Sequence, residues 1–203
     1  MDSLRRLRGQ GSIAIHDQIL DHYRRVWLVD QVEEVHWTPG PVSARLPDFH
    51  IVKVRPVTPG EMWVFASIGA WRATEREANG LEFVAVARGE SASVMQRLAM
   101  TAYYHAGPPE NRLGVGHMVP IGEGWVERSP LDVILVSLPY LWGPELEHCQ
   151  LPDRHIQVVW LMPISEAERA FARRHGLEAL EERFEQASVD YLDPFLPSVV
   201  GST

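Results

Sequence analysis

Two segments rich in branched and aromatic side chains constrain the fold of this 203-residue chain more than any other feature. Residues 131–136 (LDVILV) and 156–162 (IQVVWLM) have the composition that β-strands favour. The connection between them contains three residues that interrupt regular structure: Pro139, Pro144 and Pro152. We therefore predict two separate strands here, both belonging to a sheet.

Three earlier segments have the same character, and proline or glycine residues bound them. They are residues 49–54, 62–68 and 81–87, and in the last of these the side chains alternate between two faces. Residues 38–41 (TPGP) contain two prolines and a glycine, which indicates a turn. The sequence therefore predicts at least five strands.

Helical spacing marks the segments on either side of these strands. Apolar residues recur every three or four positions over residues 12–27, and again over 91–105. Ser165 and Glu168 form the pattern of a capping box, so we expect a helix to begin at Ser165 and to end near Gly176. A last periodic segment begins at Leu177. Helices should therefore cover the sheet.

The order helix, strands, helix, strands, helices predicts an α+β fold, a mixed α/β sandwich with helices packed on a largely antiparallel sheet in a single domain. We place a basic, flexible N-terminus at residues 1–11, the domain at 12–197 and a tail at 198–203. Four large apolar residues should belong to the core: Phe83, Leu98, Trp160 and Phe171.

Composition and charge limit the kinds of protein that this chain can be. Hydrophobic residues make up 45% of the chain and charged residues 23%, which suits a globular domain. The single cysteine, Cys149, cannot form an internal disulfide, and no export signal or apolar run of about 18 residues is visible. We therefore expect a soluble cytoplasmic protein with no membrane contact. The net charge of −8 argues against nucleic-acid binding and permits a basic protein partner.

No residue pattern indicates a catalytic or metal site. His148, Cys149 and His155 are possible zinc ligands, but adjacent ligands at 148 and 149 rarely converge on one ion. We interpret His117 as a buried histidine that fixes a turn. The cap explains Glu168, and the helix dipole favours both it and Glu166. We predict no metal, no cofactor and no catalytic residue.

Two other groups also lack a functional pattern. Gly114 and Gly116 are too few for a phosphate-binding loop, and Ser129 and Ser137 have no nucleophile-elbow motif around them. A metal- or histidine-dependent hydrolase remains one alternative to a binding function. A homo-oligomeric structural subunit is the other.

Several short blocks follow one another along the second two thirds of the chain. They are WVFASIG (63–69), GLEF (80–83), MQRLA (95–99), GVGH (114–117), SPLD (129–132), WLMPISEAE (160–168) and HGLEAL (175–180). In this order the blocks resemble the suppressor-of-fused domain, over about residues 63–199. The pattern is similar to that of a short bacterial member.

The resemblance implies a protein-binding module without catalytic activity, monomeric or homodimeric. Larger eukaryotic members bind a transcription factor between this domain and a second, C-terminal domain, which this chain is too short to contain. For bacterial members the resemblance implies an immunity protein that neutralises a toxin, or a regulator that binds a partner segment.

Two regions compete as the partner surface. In eukaryotic members the partner adds as a strand, and the matching strand here ends at Gly69 before Trp71 and Arg72. The loop with Tyr140 and Trp142 has the aromatic composition of a binding hot spot, stiffened by nearby prolines. We expect strand addition beside Trp71, with the loop as the competing site.

Overall fold

The computed structural model describes residues 2–201, with side chains for residues 14–28 and 30–201. Over this part of the chain there are six α-helices and eight β-strands. The helices are α1 (Asp2–Val26), α2 (Val42–Arg45), α3 (Ala92–His105), α4 (Pro144–Glu147), α5 (Glu166–His175) and α6 (Leu177–Ala187). The strands are β1 (Val32–His36), β2 (His50–Val54), β3 (Trp63–Ile68), β4 (Asn79–Ala87), β5 (Met118–Pro120), β6 (Val133–Ser137), β7 (His148–Gln150) and β8 (His155–Ile164).

The strands form one sheet in the order β1-β2-β3-β4-β8-β6-β5, and β7 pairs with the beginning of β8. Within the described residues, the pairing of β4 with β8 is parallel and the other six pairings are antiparallel. The prediction of an α+β domain with a largely antiparallel sheet is therefore confirmed.

Helices cover both faces of the sheet. On the first face α1, α5 and α6 pack against the even-numbered residues of β2, β3, β4 and β8. On the second face α2 and α3 pack against the odd-numbered residues of β2, β3 and β4. Each face of the sheet therefore has its own hydrophobic core. None of the helices in the described part of the chain is long and apolar enough to cross a membrane.

All five strands predicted from composition are present, and they correspond to β2, β3, β4, β6 and β8. The sequence did not indicate β1, β5 or β7. These three lie at the margins of the sheet, are only three to five residues long and carry exposed polar side chains or a proline. Because each is short and contributes at most one or two apolar side chains to a core, they lack the apolar alternation that identifies a strand.

Three boundary or burial predictions need correction. The first helix begins at Asp2, so the start that the apolar stripe predicted at Ser12 was too late. The tail predicted from residue 198 includes Val199 and Val200, which pack against the first core. Phe83, Leu98 and Trp160 are buried as expected, whereas Phe171 is only half-buried beneath the ring of His175.

The capping box at the start of α5 is confirmed. The Ser165 side-chain oxygen accepts a hydrogen bond from the Glu168 backbone N–H at 3.3 Å, and the Glu168 carboxylate accepts one from the Ser165 N–H at 2.7 Å. The other oxygen of Glu168 accepts from the Val199 N–H at 3.0 Å. The cap therefore also holds the C-terminal segment on the domain.

Replacing Ser165 with alanine should lower the free energy of unfolding by about 1 kcal/mol, because the Glu168 N–H loses its acceptor. Chemical denaturation at neutral pH measures the change. Ser93→Ala is the matched control, since Ser93 is an exposed serine in the first turn of α3 and should cost little. Equal stability of Ser165→Ala and the wild type would show that the cap is not a stabilising contact.

Candidate functional site

A buried carboxyl group organises the region that the sequence favoured as the partner surface. Glu82 lies in β4 with no exposed surface, and its oxygens accept hydrogen bonds from the backbone N–H of Gly69 at 2.7 Å and of Trp71 at 3.3 Å. The hydroxyl of Ser67 also donates to it. Burial opposes ionisation while these donors favour it, and burial is the larger effect, raising the pKa of Glu82 to about 7.

The same group of hydrogen bonds joins three elements. The Ser67 hydroxyl accepts from the Phe83 N–H at 2.9 Å, and the Ser67 carbonyl accepts from the hydroxyl of Tyr23 on α1 at 2.9 Å. Every residue named here is buried. The contacts therefore tie α1, β3 and β4 together around Glu82.

Gly69 is required by the turn that follows β3. Its φ is +113°, and a side-chain Cβ at this position would lie 3.0 Å from the Asp48 carbonyl oxygen and 3.3 Å from the Phe49 Cα. Only glycine has both the conformation and the space. The turn leads directly into a short 3-10 helix, Ala70–Thr74, whose first N–H groups point at Glu82.

Trp71 belongs to the core. Its side chain is 3% exposed, and the guanidinium of Arg154 lies 4.6 Å from the centre of its ring. Arg72 forms a salt bridge of 2.6 Å with Asp48. Gly69 and Trp71 therefore shape the turn around Glu82, and neither contributes to an exposed aromatic surface.

Both sides of β3 are already paired over most of its length. β2 pairs with β3 from Val64 to Ile68 on one side, and β4 pairs with it from Trp63 to Ala66 on the other. The sequence alone could not show that β3 is interior, because both neighbours are strands of ordinary composition. In the described part of the chain, the unpaired margins belong to β1, β5 and β7.

The second predicted region is exposed. Tyr140 is 60% exposed and Leu141 is 48% exposed, whereas Trp142 is partly buried and makes an edge contact with Trp27 of α1 at 5.8 Å. The N–H groups of Trp142 and Gly143 both donate to the carbonyl of Pro139, at 2.9 and 3.0 Å. The loop is therefore anchored at its centre and presents two apolar side chains to solvent.

A pocket of about 280 Å³ that opens to solvent lies beside this loop. Its floor contains the ring of Trp160, which makes an edge contact with Tyr191 at 5.1 Å. The indole N–H of Trp160 is buried and finds no acceptor among the described residues. The lining residues are Tyr140, Trp160, Met162, Glu181, Phe184, Glu185 and Tyr191.

The rim of the pocket is acidic. The Tyr140 hydroxyl donates to the Glu181 carboxylate at 3.3 Å, and Glu185 lies one helical turn further along α6. Partial burial is the larger cause that raises the pKa of Tyr140, and the nearby Glu181 carboxylate raises it further. The pKa of Tyr191 is likewise raised mainly by burial and also by the Glu185 carboxylate. Both phenols therefore stay neutral donors, and the rim charge is negative.

Only two of the three suspected zinc ligands, His148 and His155, lie close together. The side-chain nitrogens Nδ1 of His148 and Nε2 of His155 are 3.2 Å apart, because β7 pairs with β8. Cys149 points into the first core, where burial raises the pKa of its thiol to about 11. Alternation along β7 places it on the opposite face from His148. His117 is exposed, so its interpretation as a buried histidine was wrong.

Sequence reasoning found Tyr140 and Trp142 but missed the pocket beside them. Glu181 and Glu185 are four residues apart, a spacing that could have placed them on one stripe of the predicted last helix. Tyr191 gave no signal, because it follows α6 in a segment without regular structure. Its position is set by contacts with Trp160 and Phe184.

Comparison with known proteins identifies relatives of the whole domain. The family model for the Suppressor of fused protein (SUFU) matches residues 46–195. A SUFU homologue from Neisseria gonorrhoeae FA 1090 superposes with a TM-score of 0.81 at 32% sequence identity, covering 94% of this chain and 100% of that one. The structure of a Sufu–Fu complex gives a TM-score of 0.71 at 16% identity over 91% of each chain, which supports the fold alone.

Two further relatives match over a smaller share of their length. The Drosophila Suppressor of Fused has a TM-score of 0.65 at 16% identity, and the match covers 89% of this chain but 50% of that protein. The immunity protein YqcF of Bacillus subtilis (strain 168) is 32% identical over 74 residues, which is 36% of this chain and 38% of the relative.

Glu82 should make the stability of the domain depend on pH. Its folded-state pKa of about 7 lies above the ordinary value of 4.5, so the folded chain keeps a proton that the unfolded chain loses. The stability that this retained proton gives to the folded state is complete below the unfolded-state pKa and is lost as the pH rises through the folded-state pKa. Relative to Glu82→Gln, the wild type should lose about 3 kcal/mol of unfolding free energy across this interval.

Denaturant titrations at several pH values measure this difference. Glutamine keeps a carbonyl oxygen that can accept from Gly69 and Trp71, so the variant should fold. Glu77→Gln, at an exposed position, is the control and should retain the pH dependence of the wild type. Parallel pH profiles for Glu82→Gln and the wild type would contradict an elevated pKa.

Proposed function

The chain belongs to the suppressor of fused family, and from this premise we propose that it is a non-enzymatic module that binds a polypeptide partner at the pocket between the Tyr140–Trp142 loop and α6. The observation that supports the proposal is the exposed aromatic pocket itself. It combines an exposed tyrosine, a tryptophan at the floor and two glutamates at the rim.

The chemistry of the pocket defines its occupant. An aromatic or aliphatic side chain can fill the space above Trp160, and a lysine or arginine beside it can pair with Glu181 or Glu185. We therefore propose a basic segment with at least one large apolar residue.

The Tyr140–Trp142 loop is preorganised for binding. Trp142 packs on Trp27, and the Pro139 carbonyl accepts two backbone hydrogen bonds, so the loop conformation is fixed in the free protein. Tyrosine also loses little side-chain entropy when it becomes ordered in an interface. A rigid loop with exposed aromatic residues lowers the cost of association, as in other hot spots.

The partner that we propose is a toxin. The matched relative in Bacillus subtilis is named an immunity protein, and immunity requires a protein that binds and blocks a toxic one. The net charge of −8 suits a basic target. In this proposal the module acts by occupying a surface of the toxin and performs no chemistry on it.

Tyr140→Ala should abolish most partner binding while leaving the fold intact, because the side chain is largely exposed. The partner is captured from the native host with the immobilised wild-type chain, identified and purified. Isothermal titration with the variant should then show about thirtyfold weaker binding, corresponding to a hot-spot loss of about 2 kcal/mol. Tyr104→Ala, an exposed tyrosine on α3, should bind like the wild type.

The same variants test the proposed role in immunity. Expression of the captured partner alone should arrest growth, and co-expression of the wild type or Tyr104→Ala should restore it, whereas Tyr140→Ala should not. If Tyr104→Ala loses the partner and Tyr140→Ala keeps it, the groove between α3 and β5 is the binding surface and the proposed pocket is wrong. A captured partner that is harmless when expressed alone would contradict the immunity function.

Charge reversal at the rim should weaken binding more than the same change elsewhere on α6. Glu185→Lys replaces a pocket residue, and Glu182→Lys changes the net charge equally at an exposed position outside the pocket lining. We expect Glu185→Lys to lower the association rate more, and to reduce its dependence on salt. Surface plasmon resonance at two ionic strengths measures both. Equal effects of the two variants would indicate a general charge effect and no local pairing.

A further inference from the structure

Three possible metal ligands converge where α1 crosses the first two strands. They are His16 on α1, Glu34 on β1 and His50 on β2, and their ligating atoms all lie within 4.8 Å of one another. The Glu34 carboxylate is 2.7 Å from Nε2 of His16 and 3.5 Å from Nε2 of His50. Each side chain keeps between 18% and 28% of its surface exposed, so an ion can reach the site from solvent.

The fold places these residues without any local sequence motif. In the pairing of β1 with β2, Glu34 lies opposite Val52 and His36 lies opposite His50, so Glu34 and His50 are diagonal neighbours on the first face. His16 lies one turn before Ile19 and Leu20, on the stripe of α1 that packs on this face. Three elements therefore each supply one ligand.

A backbone contact orients His50 as a metal ligand. Its Nδ1 lies 3.1 Å from the carbonyl oxygen of Asp48, and because a carbonyl can only accept, Nδ1 must carry the proton. The lone pair is then on Nε2, which faces Glu34. This arrangement, with the second ring nitrogen held by a carbonyl, is typical of histidines that bind metals.

We propose that His16, Glu34 and His50 form a binding site for a divalent transition-metal ion of the zinc type. Two imidazole nitrogens and one carboxylate oxygen match the ligand preferences of zinc and cobalt, whereas calcium and magnesium prefer oxygen alone. To bind through Nε2, the neutral His16 ring must carry its proton on Nδ1, which leaves the Nε2 lone pair for the ion. A water molecule or a partner group completes the coordination.

Neighbouring histidines delimit the site. The ring of His36 lies 4.8 Å from that of His50, but its Nε2 faces the carbonyl of Pro47 at 3.4 Å, outside the proposed ligand set. His148 and His155 form a separate pair on β7 and β8. The family model matches residues 46–195. Two of the three proposed ligands, His16 and Glu34, therefore lie outside the matched region.

The proposed ion would clamp α1 onto the margin of the sheet. The present link between His16 and Glu34 is a single partly exposed contact, which contributes little by itself. A metal bound to both, and to His50 on the next strand, stabilises the folded state by mass action, because unfolding separates the three ligands.

The test uses the full purified chain, stripped of metal with a chelator and then titrated with Zn²⁺ by calorimetry and with Co²⁺ by visible absorption. We expect one ion per chain, the absorption of a four-coordinate Co²⁺ site, and a higher thermal midpoint with Zn²⁺. Glu34→Gln and His16→Gln should each weaken binding at least tenfold and remove the thermal shift. His148→Gln should behave like the wild type.

Circular dichroism checks that each variant is folded, and His16→Gln, at a partly exposed helical position, keeps the test valid if Glu34→Gln fails to fold. The proposal is wrong if the chain binds no stoichiometric ion. It is also wrong if binding persists in both His16→Gln and Glu34→Gln, or if His148→Gln alone abolishes it. This outcome is independent of partner binding, which the Tyr140 variants test.

Discussion

The Glu82 carboxyl group at the centre of the sheet is the constraint on which the surrounding structure depends. A carboxyl without water must be satisfied by donors or protonated, and here the end of β3 supplies the donors through the backbone of Gly69 and Trp71. This requirement ends β3, bends the chain into the 3-10 helix and places the Trp71 ring in the first core. Tyr23 of α1 joins the same network through Ser67.

Helix α1 links the regions that bear on function. Tyr23 reaches the network around Glu82, Trp27 supports the loop that carries Tyr140, and His16 belongs to the proposed metal site. These residues follow one another along the face of α1 that meets the sheet. The docking of this single helix therefore supports both the proposed partner pocket and the contacts at the far margin of the sheet. The proposed partner surface and the proposed metal site lie at different places along the same helix.

The sequence predicted the fold better than it predicted the site, for identifiable reasons. Strands β6 and β8 are buried and apolar, so composition was enough to find them, and Ser165 and Glu168 lie within one turn, where local rules apply. Trp71 was misjudged because exposure depends on which strands flank β3, a non-local property. The residues of the pocket and of the His16 site come from elements that are distant in the chain, and no local spacing relates them.

The parallel pairing of β4 with β8 has a consequence for how the chain folds. Strands β1 to β4 form a run of neighbours that pair in sequence order, and β5, β6, β7 and β8 form a second group. Among residues 2–201, only the pairing from Asn79 with His155 to Val84 with Trp160 joins the two groups within the sheet. The strands within each group can pair over short loops. The pairing of β4 with β8 must instead close a long loop, which costs chain entropy and slows folding. We therefore expect the pairing of β4 with β8 to be the slowest step of folding, and the connection between α3 and β5 to be the most suitable place to divide the chain into complementing fragments.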